Sequence, residues 1–274
     1  MAHIGVLKAL EENDIPIDYI TGTSAGSLIG AMYATGRSPW EMEQIVMSSD
    51  FNEWATGVIN EEIDYYYNKR EPDASWVKLK FSIDSLIHTH IPTSVVSSAV
   101  TDYSLMERMS AAIAAANYDF DSLFVPYRCV AADIRSHKQV IFDSGDLPLA
   151  VRSSMAYPLY FSPIKYNDMI LFDGGIYNNF PVDVMENTFD PDIMIGVNTG
   201  GYPDDTYEDN IFSLFKTMII QSSNYELPGK KDVLISPDVL GINVFDFENS
   251  KAAIDSGYYA TLRQMDRIKE AVNR

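Results

Sequence analysis

Asp18-Tyr-Ile-Thr-Gly-Thr-Ser-Ala-Gly-Ser-Leu-Ile-Gly-Ala-Met-Tyr-Ala-Thr-Gly36 is the stretch on which the fold turns. Asp18 to Thr21 is a short β-prone run that stops at Gly22. A helix rich in small residues follows from Ser24 to Ala34, and Gly36 closes it in the left-handed position that glycine favours. Gly26, Gly30 and Ala34 lie four apart, so they share one face that can sit close to a sheet. Between strand and helix, residues 22–26 read Gly-Thr-Ser-Ala-Gly, a G-x-S-x-G motif. A sharp strand-to-helix turn of this kind pushes the serine side chain outward, and it places Ser24 where backbone N–H groups and the helix dipole favour negative charge. A plainer reading is that Ser24 only caps the helix, and these residues alone leave both readings open.

Working outward, residues 2–12 read as a helix that breaks at Pro16, and Ser38-Pro39 starts another. Ser104 is read as the cap of a helix reaching Ala116. Pro126 to Ile134 is a buried strand, Lys138 to Phe142 a second strand, and Leu147 to Met155 a helix. Met169-Ile-Leu-Phe172 is a strand ending at Asp173-Gly-Gly175. Pro181 opens a short helix, and Asp192 to Val197 and Val233 to Ile235 are strands. Helices are expected near 211–222 and from about 248 onward. Strands alternating with helices indicate an α/β fold, a mostly parallel sheet covered on both faces.

The 274 residues suffice for one domain with a real core, and 46% hydrophobic with 22% charged residues is ordinary for a globular chain. A formal net charge of −19 argues against nucleic acid and against electrostatic adsorption to an anionic bilayer. Any contact with lipid must then be apolar. A single cysteine, Cys129, excludes an intrachain disulfide and a cysteine-based zinc site. There is no run of about 20 apolar residues, and Met1 to Lys8 does not read as a signal peptide. Residues 50–100 are irregular and rich in aromatics, including Phe51, Trp54, Tyr65, Tyr66, Tyr67, Trp76 and Phe81. They suit either core and loop packing or a lid over a lipid entrance. Phe212, Phe215, Met218 and Ile219 mark an apolar helix face, read as core before membrane contact.

A serine hydroxyl needs a base. The four histidines, His3, His88, His90 and His137, all fall in the first half or at the middle of the chain, and none is well placed to close an ordinary triad. Asp173 is the alternative. Phe172 ends an apolar strand, Gly174-Gly175 enforces a tight turn, and reactive groups in parallel α/β sheets gather at strand carboxyl ends. Burial would have to raise its pKa for it to accept a proton at neutral pH.

Two blocks together resemble the patatin-like phospholipase family: Ala2-His-Ile-Gly-Val-Leu-Lys-Ala-Leu10 running to Tyr19-Ile-Thr-Gly-Thr-Ser-Ala-Gly26, and Val151-Arg-Ser-Ser-Met155 followed by Ile170-Leu-Phe-Asp-Gly-Gly-Ile-Tyr-Asn-Asn179 and Pro181-Val-Asp183. The resemblance implies a three-layer α/β/α fold forming one catalytic domain over residues 1–274. It further implies a Ser24–Asp173 dyad, oxyanion stabilisation at Ala25 within the Gly22–Gly26 elbow, and a dyad turn at Gly174 and Gly175. The implied chemistry is acyl transfer from a lipid ester, such as a phospholipid, to Ser24 and then to water, with no metal or organic cofactor and with peripheral membrane contact. A catalytically impaired, lipid- or partner-binding domain is the other reading. Family members also carry a strand and a glycine-rich oxyanion loop just before the segment matching Ala2-His-Ile-Gly, and the expectation is that both are absent from this chain.

Overall fold

The fold was analysed in a computed structural model, which describes residues 1–56, 98–200, 225–239 and 249–272. The helix expected at 211–222, His88, His90 and the aromatics from Tyr65 to Phe81 lie outside the described residues.

In chain order the elements are α1 (Ala2–Glu11), β1 (Ile20–Thr23), α2 (Ala25–Ala34), α3 (Pro39–Val46), α4 (Ser49–Thr56), α5 (Ala99–Ala115), β2 (Tyr127–Asp133), β3 (Lys138–Phe142), α6 (Leu147–Ser154), β4 (Ile164–Tyr166), β5 (Met169–Asp173), α7 (Val182–Phe189), β6 (Ile195–Val197), β7 (Val233–Ile235) and α8 (Ser250–Val272). Ser38 caps α3 with a complete capping box through Glu41. Three boundaries differ clearly from expectation. β6 begins at Ile195 rather than Asp192. β1 runs through Gly22 to Thr23, because parallel pairing with β2 continues to Thr23 opposite Val130. Ser104 is not a cap but a buried residue inside α5, which starts at Ala99; Val100, four residues before the serine, already packs against the core.

One sheet has the order β1-β2-β5-β4, with β3 also paired to β2, and a second holds β6 and β7. The β1–β2 and β6–β7 pairs are parallel, as expected where helices cross between strands. The β2–β3, β2–β5 and β4–β5 ladders are antiparallel. Four residues join β2 to β3 and two join β4 to β5, too few for a crossover, so those connections must be hairpins.

Alternation along β1 assigns the layers. A Cβ added to Gly30 of α2 would press on Ile20 and the Tyr127 ring, so Ile20 faces α2. Thr21 and Thr23 point the other way, donating to the carbonyls of Pro181 and Asn178 beside α7. Helices therefore cover both faces. The small-residue face of α2 is only partly a sheet contact, because Gly26 looks onto His3 of α1 instead. The main core joins Leu28, Ile29 and Met32 of α2 to Leu105, Met109, Tyr127, Leu147 and Leu171. A second core packs Val6 and Leu10 of α1 and Met265 and Ile268 of α8 onto Val233 and Ile235. Between α1 and α8 the backbones touch: a Cβ on Gly5 would run into the Ile254 carbonyl, and one on Gly257 into that of Ala2.

Candidate active site

Ser24 stands between β1 and α2 with φ 54° and ψ −123°, a conformation that costs a non-glycine residue about 1–3 kcal/mol and persists only where its surroundings enforce it. The side chain makes no capping bond to the helix. Its Oγ donates instead to Asp173 Oδ2 at 2.6 Å, across 149 positions of sequence. With its hydroxyl engaged there, Ser24 does not serve as a side-chain cap of α2.

Asp173 ends β5 and is 4% exposed. Its Oδ1 accepts the Gly175 N–H at 2.8 Å, and its own N–H donates to the Ala156 carbonyl at 3.0 Å. Burial pushes its pKa up to about 6, while the bonds from Ser24 and Gly175 pull the other way. Gly174 lies flat on β2, where a Cβ would collide with the Val130 carbonyl and the Thr23 methyl. Replacing Gly174 by alanine is therefore expected to destabilise the protein by about 1–3 kcal/mol, the usual range for overpacking. A denaturant titration checks this, and unchanged stability would show that the turn can shift.

Backbone donors lie beside the pair. Ala25 opens α2, and helix geometry leaves its N–H without an intrahelical acceptor. The N–H of Ser24 is already used, bonded to Ser154 Oγ at 2.9 Å. Ser154 belongs to a quoted block, but nothing in the sequence signals its role: buried serines are common and this contact spans 130 positions.

A cavity of about 680 Å³ opens at Ser24 and Asp173. Val6 and Leu10 of α1 and Phe180, Met185 and Phe189 around α7 line it, together with β1 and β6. Among the described residues those two strands are each paired on one side only, β1 with β2 and β6 with β7. Their edges unpaired there both line the cavity. Tyr157 lines it too, its phenol pushed up to about 12 by burial and by the Asp173 charge.

His3 also lines this cavity, but no hydrogen bond joins it to Ser24 or Asp173 among the described residues; Nδ1 is buried and unpartnered there. Burial drives its pKa down to about 3, so it is neutral at physiological pH and a feeble base. His137 sits in the β2–β3 turn, with Nδ1 3.3 Å from the Tyr177 hydroxyl. Cys129 is buried in β2 with its thiol toward the Ala150 carbonyl, and burial pushes its pKa up to about 12. No cluster of three His, Cys, Asp or Glu side chains suited to a metal occurs among the described residues, and no helix there is long and apolar enough to cross a membrane.

Residues 1–185 match the family model described as patatin-like phospholipase. The chain belongs to the patatin-like phospholipase family. The chain is 30% identical over 188 residues to patatin-like phospholipase domain-containing protein ZK370.4 of Caenorhabditis elegans, a match covering 68% of this chain and 12% of that protein. To neuropathy target esterase sws of Drosophila melanogaster it is 28% identical, over 68% of this chain and 11% of the other. The patatin-like segment thus corresponds to about an eighth of these much longer relatives. Among solved structures, VipD from Legionella pneumophila superposes with a TM-score of 0.50 at 13% identity, covering 97% of this chain and 64% of that one; at that identity the likeness speaks for the α/β fold alone.

Proposed function

We propose that the chain is a serine lipid-acyl hydrolase of phospholipase A or esterase type that works through a Ser24–Asp173 dyad and an acyl-enzyme. The observation that carries this is the 2.6 Å bond from Ser24 Oγ to a buried carboxylate raised to about 6. A carboxylate at its ordinary pKa near 3.9 is a weak proton acceptor at neutral pH, and the rise brings it closer to the working range of a general base. Ser24 Oγ attacks the ester carbonyl as its proton passes to Asp173 Oδ2. The tetrahedral oxyanion forms beside the Ala25 N–H and the α2 N-terminus. Asp173 then returns the proton to the departing alcohol. In the second half Asp173 takes a proton from water, which attacks the acyl carbonyl, and passes that proton back to the departing Ser24 Oγ as the free acid leaves.

The open edges of β1 and β6 support a second element of this reading. Unpaired strand edges inside a protein leave N–H and C=O groups without partners. The cavity they line is proposed to take the strand that the family places ahead of Ala2, whose glycine-rich continuation brings further oxyanion donors to Ser24. A lipid- or partner-binding role through the same cavity is the competing reading.

A fluorophosphonate probe is expected to label the protein on Ser24 and to leave Ser24→Ala unlabelled; equal labelling of the two would remove Ser24 from the mechanism. Turnover of a p-nitrophenyl ester separates hydrolase from binding module, since the latter would bind lipid vesicles without releasing acid.

A further inference from the structure

We propose that Ser154, at the C-terminal end of α6, is a positioning residue that locks the strained elbow of Ser24 in its reactive conformation. The inference rests on Ser24 being the nucleophile.

The direction of each bond in this contact is unambiguous. A backbone N–H can only donate and a carbonyl can only accept. Ser154 Oγ must therefore accept the Ser24 N–H at 2.9 Å and give its one proton to the Val130 carbonyl at 2.6 Å. The hydroxyl is fully buried, so water cannot substitute for it. It ties three elements together: α6, the elbow after β1, and β2. Two residues later the same segment holds the other member of the pair, because the Ala156 carbonyl accepts the Asp173 N–H at 3.0 Å. Both anchors act on main-chain atoms, and so they fix the two Cα positions from which Ser24 Oγ and Asp173 Oδ2 meet.

The Ser24 conformation makes the brace necessary. A residue at φ 54° and ψ −123° relaxes by rotating its flanking peptides unless something opposes that rotation. Rotation of the peptide before Ser24 would swing its N–H away from Ser154 and move Oγ off Asp173. The brace has a second effect. With its own N–H committed to Ser154, Ser24 leaves the N–H groups of Ala25 and Gly26, at the start of α2, as the elbow's remaining donors.

Ser153 supplies the control. It is equally buried in the same helix, but its hydroxyl bonds only the Leu149 carbonyl one turn back. The experiment measures fluorophosphonate labelling of Ser24 over a range of probe concentrations, with each protein at matched folded fraction. For Ser154→Ala the maximal labelling rate is expected to fall about 10- to 100-fold, as for comparable misplacements of a reacting group, while the probe concentration for half-maximal rate stays put. Ser153→Ala is expected to stay within about twofold of the wild type at a similar loss of thermal stability. Ser154→Cys, close in size but a weaker acceptor, is expected to fall between wild type and Ser154→Ala, and it carries the test if the alanine variant does not fold. Wild-type rates in Ser154→Ala or Ser154→Cys would overturn the proposal, as would an equal loss in Ser153→Ala. A wild-type protein that is not labelled on Ser24 would instead overturn the reading of Ser24 as nucleophile.

Discussion

Asparagine in place of Asp173 is expected to lower kcat at least about 100-fold, within the range ascribed to a general base, and to make the folded protein more stable at neutral pH. The first effect follows because an amide cannot take the proton of Ser24. Changed singly to alanine, His3, His88, His90 and His137 are each expected to keep most of the activity; loss of turnover in one of them without unfolding would end the dyad assignment. The second effect follows from burial. Asp173 holds its proton up to about pH 6 in the fold, whereas an unfolded aspartate releases it near 3.9. Between those values the folded state binds more protons than the unfolded one, so stability declines as pH rises through the window and levels off above about 6. Two pH units at 1.36 kcal/mol each amount to about 3 kcal/mol. Denaturant titrations should show the variant gaining on the wild type from pH 4 to pH 7.5. A gap that does not change with pH would mean that Asp173 is not the buried, destabilised carboxylate described. The same ionisation sets activity: kcat/KM is expected to rise with pH through about 6, because only the ionised form accepts a proton.

Adding an apolar strand and a glycine-rich loop ahead of Ala2 is expected to raise kcat by about 100- to 1000-fold, the effect typical of a single oxyanion donor. The elbow commits the Ser24 N–H to Ser154, which leaves the oxyanion the N–H groups at the start of α2, so it gains from donors that arrive from outside. An added strand would also pair the free edges of β1 and β6 and fill the 680 Å³ between them. The extended protein should then resist thermal unfolding better and associate less. The comparison uses one short-chain ester at matched folded fraction. Equal kcat in the two forms would show that other groups already stabilise the oxyanion and that the cavity serves another purpose.

The local part of this site was legible in the sequence. Gly22 to Gly26 announced a strand-to-helix elbow, and Asp173-Gly-Gly announced an aimed carboxylate at a strand end. The family blocks joined them before any coordinates. What could not be read was whatever depends on contacts between distant elements. Ser154 bonds the elbow across 130 positions, with no spacing rule to betray it. His3, near the start of α1, packs on Gly26 beside the elbow, a contact that no spacing rule marks. The direction of β5 was hidden for a similar reason: a buried apolar run looks alike in parallel and antiparallel sheets.

The backbone contact between α1 and α8 has a consequence for the birth of the protein. Helix α1 is synthesised long before α8, which clasps it, and the Tyr258 hydroxyl meets Glu12 across 246 positions. At about 5–20 residues per second of translation, α1 waits roughly 12–50 s for its partner, with Val6 and Leu10 without their final cover. Closing so long a loop also slows folding after release. The nascent chain is therefore a natural client for chaperones, and ribosome-bound intermediates ending before Ser250 are expected to leave α1 sensitive to protease until α8 has emerged.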